Sequence, residues 1–382
     1  MIDTTVLTLN DGFALMDKNR FTPSAELLSE EPMKLLGNQA YIKFTCNPTK
    51  EELRSGNYFP RLTLFLRKSY PGIAKSLRIE FSAPKLLYGN NFDELGDEDF
   101  DLVLTALHQR LKEMGVLVFK KQLENARVSA WHFSKNMPMQ DYTSCSMVLN
   151  TIAKANVFTQ LDLNARDYRN GGQAIKFHAN GFEITFYDKL QDLANSRISE
   201  KRAIEKDNAL QQALFNRETL DPNYEVLRME VRLNTRRKLK SVLKAVGIER
   251  ELTFKELFSW ELSQAVLNHF WQPIRAALRI HTLSKLDAIE LFEEMKKRNP
   301  SVSLAKLQRL HSTLVCLQAG NARRYRVALG FVGKDNSRWS LLMTSIKTLD
   351  LPTDRYFQIS EKVRKGLIEF ERSNTNSDKC HI

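Results

Sequence analysis

Cysteine is scarce in this chain, and none of the four (Cys46, Cys145, Cys316, Cys380) forms a CxxC pair. That argues against a zinc ribbon or a disulfide framework and for a reducing compartment. No stretch approaches the about 18 continuous apolar residues of a membrane span. The start, MIDTTVLTLNDGF, lacks the basic residues and long apolar run of a signal peptide. Internal repeats and low-complexity tracts are missing as well. Acidic residues are outnumbered, with 45 Asp plus Glu against 57 Lys plus Arg, for a net charge of +12 over 382 residues. An excess of that sign favours a polyanionic partner, nucleic acid before a membrane surface. Charge alone leaves open a basic protein with no such partner.

What is present reads as a globular chain, 42% hydrophobic and 27% charged, long enough for two or three domains. The first part alternates strands and turns. YIKFTCN (41–47), RLTLFLR (61–67) and SLRIEFS (76–82) are rich in β-branched and aromatic residues. A helix follows over 97–115, with acids in its first turn and Gly115 where a C-cap belongs. VLVFKK and ARVSAWHFSKN (126–136) return to strand, and 147–169 is ambiguous. A hairpin comes next, then a polar helix over roughly 190–216 ended by Pro222. EVLRMEVRLNT (225–235) is a strand, followed by a short basic helix, RRKLKSVLKAVG, ending at Gly247. From about 252 the pattern is helical, and the tail is polar. The expected fold class is α+β: a mostly antiparallel sheet core over 1–250, then a helical domain over 251–382 for DNA binding or assembly.

The hairpin HANGFEITFYDK (178–189) turns at Asn180-Gly181, a pair suited to a type I′ turn. Two-residue turn geometry pairs Ala179 with Phe182, His178 with Glu183, Phe177 with Ile184, Lys176 with Thr185 and Ile175 with Phe186. Strict alternation then gives one apolar face and one carrying His178, Glu183, Lys176, Thr185 and Tyr187, with Lys189 continuing it. The strand at 225–235 repeats the pattern, with Arg228, Glu230 and Arg232 opposite its apolar residues. For each residue alone, a solvated face with cross-strand ion pairs explains this. Together the set is equipped for phosphoryl transfer: a tyrosine can attack a phosphodiester, a metal on Glu or His can polarise it, and Arg and Lys can hold phosphates.

Four segments in order resemble the replication initiators of filamentous phages, the gene II/X family. They are MIDTTVL at the start, SAPKLLYGNN (82–91), FEITFYDK (182–189) with its Tyr-x-Lys end, and LRMEVRLNTRRKLKSVLKAVG (227–247) with its Arg-x-Glu-x-Arg strand and basic helix. The resemblance spans about residues 1–250, with a weaker similarity at SRWSLLMTSIKTLDL (337–351). It implies an enzyme of the host cytoplasm that nicks one strand of origin DNA and starts rolling-circle replication. Tyr187 would be the nucleophile, joined to the 5′ end of the nick, with Lys189 beside it. Glu230 would bind a divalent metal, Mg²⁺ or Mn²⁺, and His132 in VSAWHFSKN would be a further metal ligand. Some relatives carry an acidic residue at that place, and a neutral imidazole suits Mn²⁺ better than Mg²⁺. The His-hydrophobe-His pair of commoner rolling-circle nucleases is missing.

Arg228, Arg232, Arg236, Arg237, Lys238, Lys240 and Lys244 are the expected DNA contacts. Implied partners are double-stranded origin DNA, single-stranded DNA, host helicase, single-strand-binding protein and DNA polymerase, with more than one copy bound at the origin and no membrane. Two rivals stay open: a non-catalytic origin or operator binder, and a mobilisation relaxase or transposase of similar chemistry. His178 opposite Glu183 reads as a cross-strand pair, Asp162 and Asp167 as loop residues, and Trp131 and Trp271 as core. The 321–326 run NARRYR reads equally as a phosphate-binding patch or a helix start.

Overall fold

The computed structural model describes residues 1–29, 35–69, 72–139, 144–155, 157–158, 161–169, 173–194, 225–278, 286–319, 325, 328–330, 336–352 and 355–372. The expected polar helix beyond Ala194, Pro222, the 321–326 patch apart from Tyr325, and the tail after Arg372 lie outside the described residues.

The strands are β1 (Ile2–Leu9), β2 (Phe13–Leu15), β3 (Tyr41–Cys46), β4 (Arg61–Ser69), β5 (Gly72–Ser82), β6 (Val116–Val118), β7 (Arg127–Met139), β8 (Ala165–Arg169), β9 (Ala174–Ala179), β10 (Phe182–Asp188) and β11 (Glu225–Leu233). Nine of them form one sheet in the order β3-β4-β5-β1-β7-β11-β10-β9-β8, while β2 and β6 pair separately. Every pairing is antiparallel. The helices are α1 (Lys50–Arg54), α2 (Ala83–Tyr88), α3 (Phe100–Glu113), α4 (Lys120–Glu124), α5 (Cys145–Ile152), α6 (Lys189–Ala194), α7 (Arg236–Ala245), α8 (Phe254–Leu257), α9 (Trp260–Leu278), α10 (Ala288–Arg298), α11 (Leu304–Ala319), α12 (Asn336–Lys347) and α13 (Arg355–Glu369). This is the expected α+β class with a large antiparallel sheet.

The hairpin register is the expected one, from Phe182 opposite Ala179 to Phe186 opposite Ile175. Its turn differs. Gly181 has φ +80°, but Asn180 has no positive φ, and type I′ needs it at both positions. A Cβ on Gly181 would lie 3.0 Å from Thr235 Oγ1, so the N-cap of α7 packs directly on the turn. The central place of β11 also changes its environment. Flanked by β7 and β10, it buries both faces, Arg228 and Glu230 included. The solvated face that alternation suggested is here a buried polar layer.

On the other face, helices cover the apolar residues. Trp131, Phe81 and Phe100 surround Phe254, and Phe182 and Phe186 meet Phe270 and Trp271 of α9. Both tryptophans are fully buried. The core crosses the change from strand to helix near residue 250: Leu262, Val266, Phe270 and Trp271, and later Val363, Leu367 and Phe370, join the sheet's own core. A second core lies within 286–351, built on Leu291, Met295, Leu310, Leu314 and Ile346.

Candidate functional site

Antiparallel neighbours bring the starts of β1 and β11 and the ends of β5, β7 and β10 to one end of the sheet. The face away from α9 carries polar residues there. Register pairs Tyr187 with Arg228 and Thr185 with Glu230, then Arg228 with Asn136, Glu230 with Ser134, and Arg232 with His132. A register shift in β1 between Ile2 and Thr5 inserts an extra residue against β7. A bulge of this kind re-aims a side chain, and Asp3 reaches the polar face, where its carboxylate meets Ser82 Oγ at 3.2 Å and Arg228 Nη2 at 3.3 Å.

Tyr187 donates its hydroxyl toward Glu230 Oε2 at 3.5 Å. Burial pushes this phenol well above its ordinary value; Arg228 opposes the rise, and Glu230 adds to it. Glu230 is 1% exposed. It receives Arg232 Nε at 2.9 Å and Nη2 at 3.2 Å, a two-point clamp. His132 Nδ1 stands 4.0 Å from Glu230 Oε1, and its Nε2 meets Asn234 Oδ1 at 3.2 Å. Burial lowers the His132 pKa despite Glu230, so the imidazole is neutral at pH 7 and able to ligate a metal.

Arg228 was expected to contact DNA. It is 1% exposed, and its guanidinium meets Asp3, Ser134 Oγ, the Asn91 carbonyl and Asn136 Oδ1. It is a brace beneath the site rather than a surface contact. Burial would raise the Asp3 carboxyl, but Arg228, with Lys189 and His132, holds it well below the usual carboxylate range. Lys189 is buried and donates to Asn91 Oδ1 at 2.7 Å. Burial, then Arg228, lowers its pKa to about 7. A buried amine poised near neutrality among polar groups suits proton transfer.

The other expected DNA contacts divide. Arg232 keeps its side chain 37% exposed at the rim. Leu239, Val242 and Leu243 of α7 are buried, while Arg237, Lys240 and Lys244 are exposed, and their spacing of three and four makes one basic ridge. Lys238 lies over the Phe182 ring at 4.1 Å, and Phe182 contacts Phe270 of α9. Helix α7 therefore flanks the helix-covered face, and Asn234, just before it, reaches the polar face through its contact with His132. Lys176 Nζ meets Glu183 Oε2 at 2.6 Å. His178 sits 2.8 Å from Asp167 and 3.8 Å from Glu183, a cross-strand network.

A group that can hold a metal ion lies elsewhere. Cys145, Asp188 and Glu225 place one ligand atom each within 4.8 Å of one another. Asp188 follows Tyr187 on β10, so the trio occupies the opposite face of the sheet. Both carboxylates have structural duties there. Asp188 accepts from the backbone N–H of Leu190 and Gln191 at the start of α6, and Glu225 accepts from Cys145 N at the start of α5 at 2.5 Å. Burial, then the two acids, pushes the Cys145 thiol far up. Burial also raises Asp188.

Asp3, Asn91, Ser134 and Asn136 escaped notice as site residues. An acid inside the apolar strand MIDTTVLTL was the available signal for Asp3. The parity of β7 would have placed Ser134 and Asn136 beside His132. No family model, curated protein or solved structure matches this chain.

Proposed function

We propose that this chain nicks and rejoins a DNA strand at a replication origin through Tyr187, as its resemblance to filamentous phage initiators implies. The observation that carries the reading is the Tyr187 hydroxyl aimed at the Glu230 carboxylate at 3.5 Å, with Arg228 and Arg232 on either side of that pair. The Tyr187 oxygen attacks the scissile phosphorus and its proton passes to Glu230. The bond from phosphorus to the 3′ oxygen breaks, leaving a 5′-phosphotyrosine and a 3′-OH. Lys189, whose pKa burial lowers to about 7, gives its proton to the leaving 3′ oxygen, which departs as the 3′-OH. Reversal by the 3′-OH restores the strand, because the phosphotyrosine keeps the phosphodiester energy.

Glu230 and a neutral His132 fit a divalent metal as two converging donors. Such an ion, Mn²⁺ or Mg²⁺, would keep several waters with so few protein ligands and would polarise the scissile phosphate. Arg232 occupies the same carboxylate, and its exposed side chain has room to turn onto a phosphate instead. The Cys145 trio lies across the sheet from the tyrosine and is read as two helix caps around a buried thiol. Origin DNA, single-stranded DNA, host helicase, single-strand-binding protein and polymerase remain the proposed partners, in a host cytoplasm.

The test is a supercoiled plasmid carrying the source element's intergenic region, incubated with Mn²⁺ or Mg²⁺. Wild type should nick it and stay attached to the 5′ end, and Tyr187→Phe should do neither. A DNA shift without nicking by either protein would favour the binding-only rival.

A further inference from the structure

Beside Asp3, on the polar face, opens a cavity of about 350 Å³, within the size range of small-ligand sites. The motif SAPKLLYGNN, which the proposed chemistry leaves unused, forms one side of it through Ser82, Lys85, Gly89 and Asn91. We propose that this cavity holds one unpaired nucleotide of the strand that Tyr187 attacks; the inference rests on the nicking reading and adds a base-reading subsite to it.

The lining suits a base with its phosphate. Pro48, Leu53 and Phe59 supply apolar walls, and Arg61 and Lys85 supply cations beside the carboxylates of Asp3 and Glu80. The Tyr58 ring is held in place by the Ser82 N–H, which donates to its oxygen at 2.9 Å. A small anion alone has no use for apolar walls, and an apolar ligand would leave charges of both signs facing it. The two carboxamides settle which base edge is favoured. Asn47 Oδ1 accepts from Arg61 Nε at 2.9 Å, and Asn57 Oδ1 accepts from Arg110 Nη2 at 2.8 Å. Each amide oxygen is thereby engaged, so each side chain offers its NH₂ as donor. Two donors select a base edge with carbonyl acceptors, thymine over adenine.

The cavity also touches the brace of the site. Asp3 and Asn91 line it, and the same two residues meet Arg228, while Asn91 also receives Lys189. A nucleotide seated there lies next to the groups that position Tyr187.

The experiment is fluorescence anisotropy at one fixed salt concentration with labelled dT8 and dA8 oligonucleotides. Wild type and Tyr187→Phe should both bind dT8 about tenfold more tightly than dA8. Asn47→Ala/Asn57→Ala, with an unchanged melting temperature, should bind the two alike. An unchanged preference in that double variant, or none in wild type, overturns the subsite. Loss of the preference in the double variant alongside a failure of wild type to nick would keep the subsite and remove the chemistry.

Discussion

Tyr187 and Asp188 are neighbours on β10, yet they serve opposite faces of the sheet with different means of balancing charge. On the helix-covered face, Asp188 and Glu225 are satisfied by backbone N–H groups at two helix starts. On the polar face, Asp3 and Glu230 are satisfied by Arg228 and Arg232. Helix caps are fixed by the fold. An arginine at the rim can change partners, and a phosphate is the partner it fits bidentately. The two faces thus differ in what holds their carboxylates: backbone N–H groups fixed by the fold on one, and on the other a buried arginine at Asp3 and a rim arginine at Glu230.

The largest expected contrast is chemical. Tyr187→Phe should lower nicking by more than about a thousandfold, as loss of a nucleophile does, while Asp188→Asn should stay near wild type in the same gel assay. Metal removal comes next. Chelation should stop nicking and Mn²⁺ should restore it, in Cys145→Ala as in wild type. Loss of the metal response in Cys145→Ala would move the metal to the helix-covered face.

Stability gives a smaller contrast. Arg228→Met leaves the buried Asp3 carboxylate without its cation and should cost about 3 kcal/mol in urea unfolding. Asp188→Ala removes only the α6 cap and should cost about 1 kcal/mol. The smallest effect is in pH. Lys189, lowered by burial from 10.5 to about 7, is cationic below that pH and neutral above it. Affinity for single-stranded DNA should fall a few-fold as pH rises from about 6 to 8, and Lys189→Gln should flatten the curve. Between about 7 and 10.5 the unfolded chain holds this proton and the folded one does not. Stability should therefore rise with pH over that window, a slope absent in Lys189→Met.

The sheet was legible where side-chain alternation and turn residues agree. The pairing of β9 with β10 follows from Asn180-Gly181 and the Phe177, Ile184, Ile175 and Phe186 face. The pairing of β11 with both β7 and β10 is non-local, and no short-range signal carries it. That pairing is what sinks Arg228 and Glu230 into the interior. Asp3 was hidden because the β1 bulge breaks the alternation that a reading of sequence depends on. The change near residue 250 was real in secondary structure, but α9 returns to cover Phe182 and Phe186, which a switch of periodicity cannot foretell.

The proposed nucleophile, Tyr187, should itself carry the bond to DNA. Digesting the covalent adduct and sequencing its nucleotide-bearing peptide by mass spectrometry tests it directly. A single modified residue, Tyr187, is expected. Modification of another side chain, or release of a free 5′ phosphate with no adduct, would contradict it.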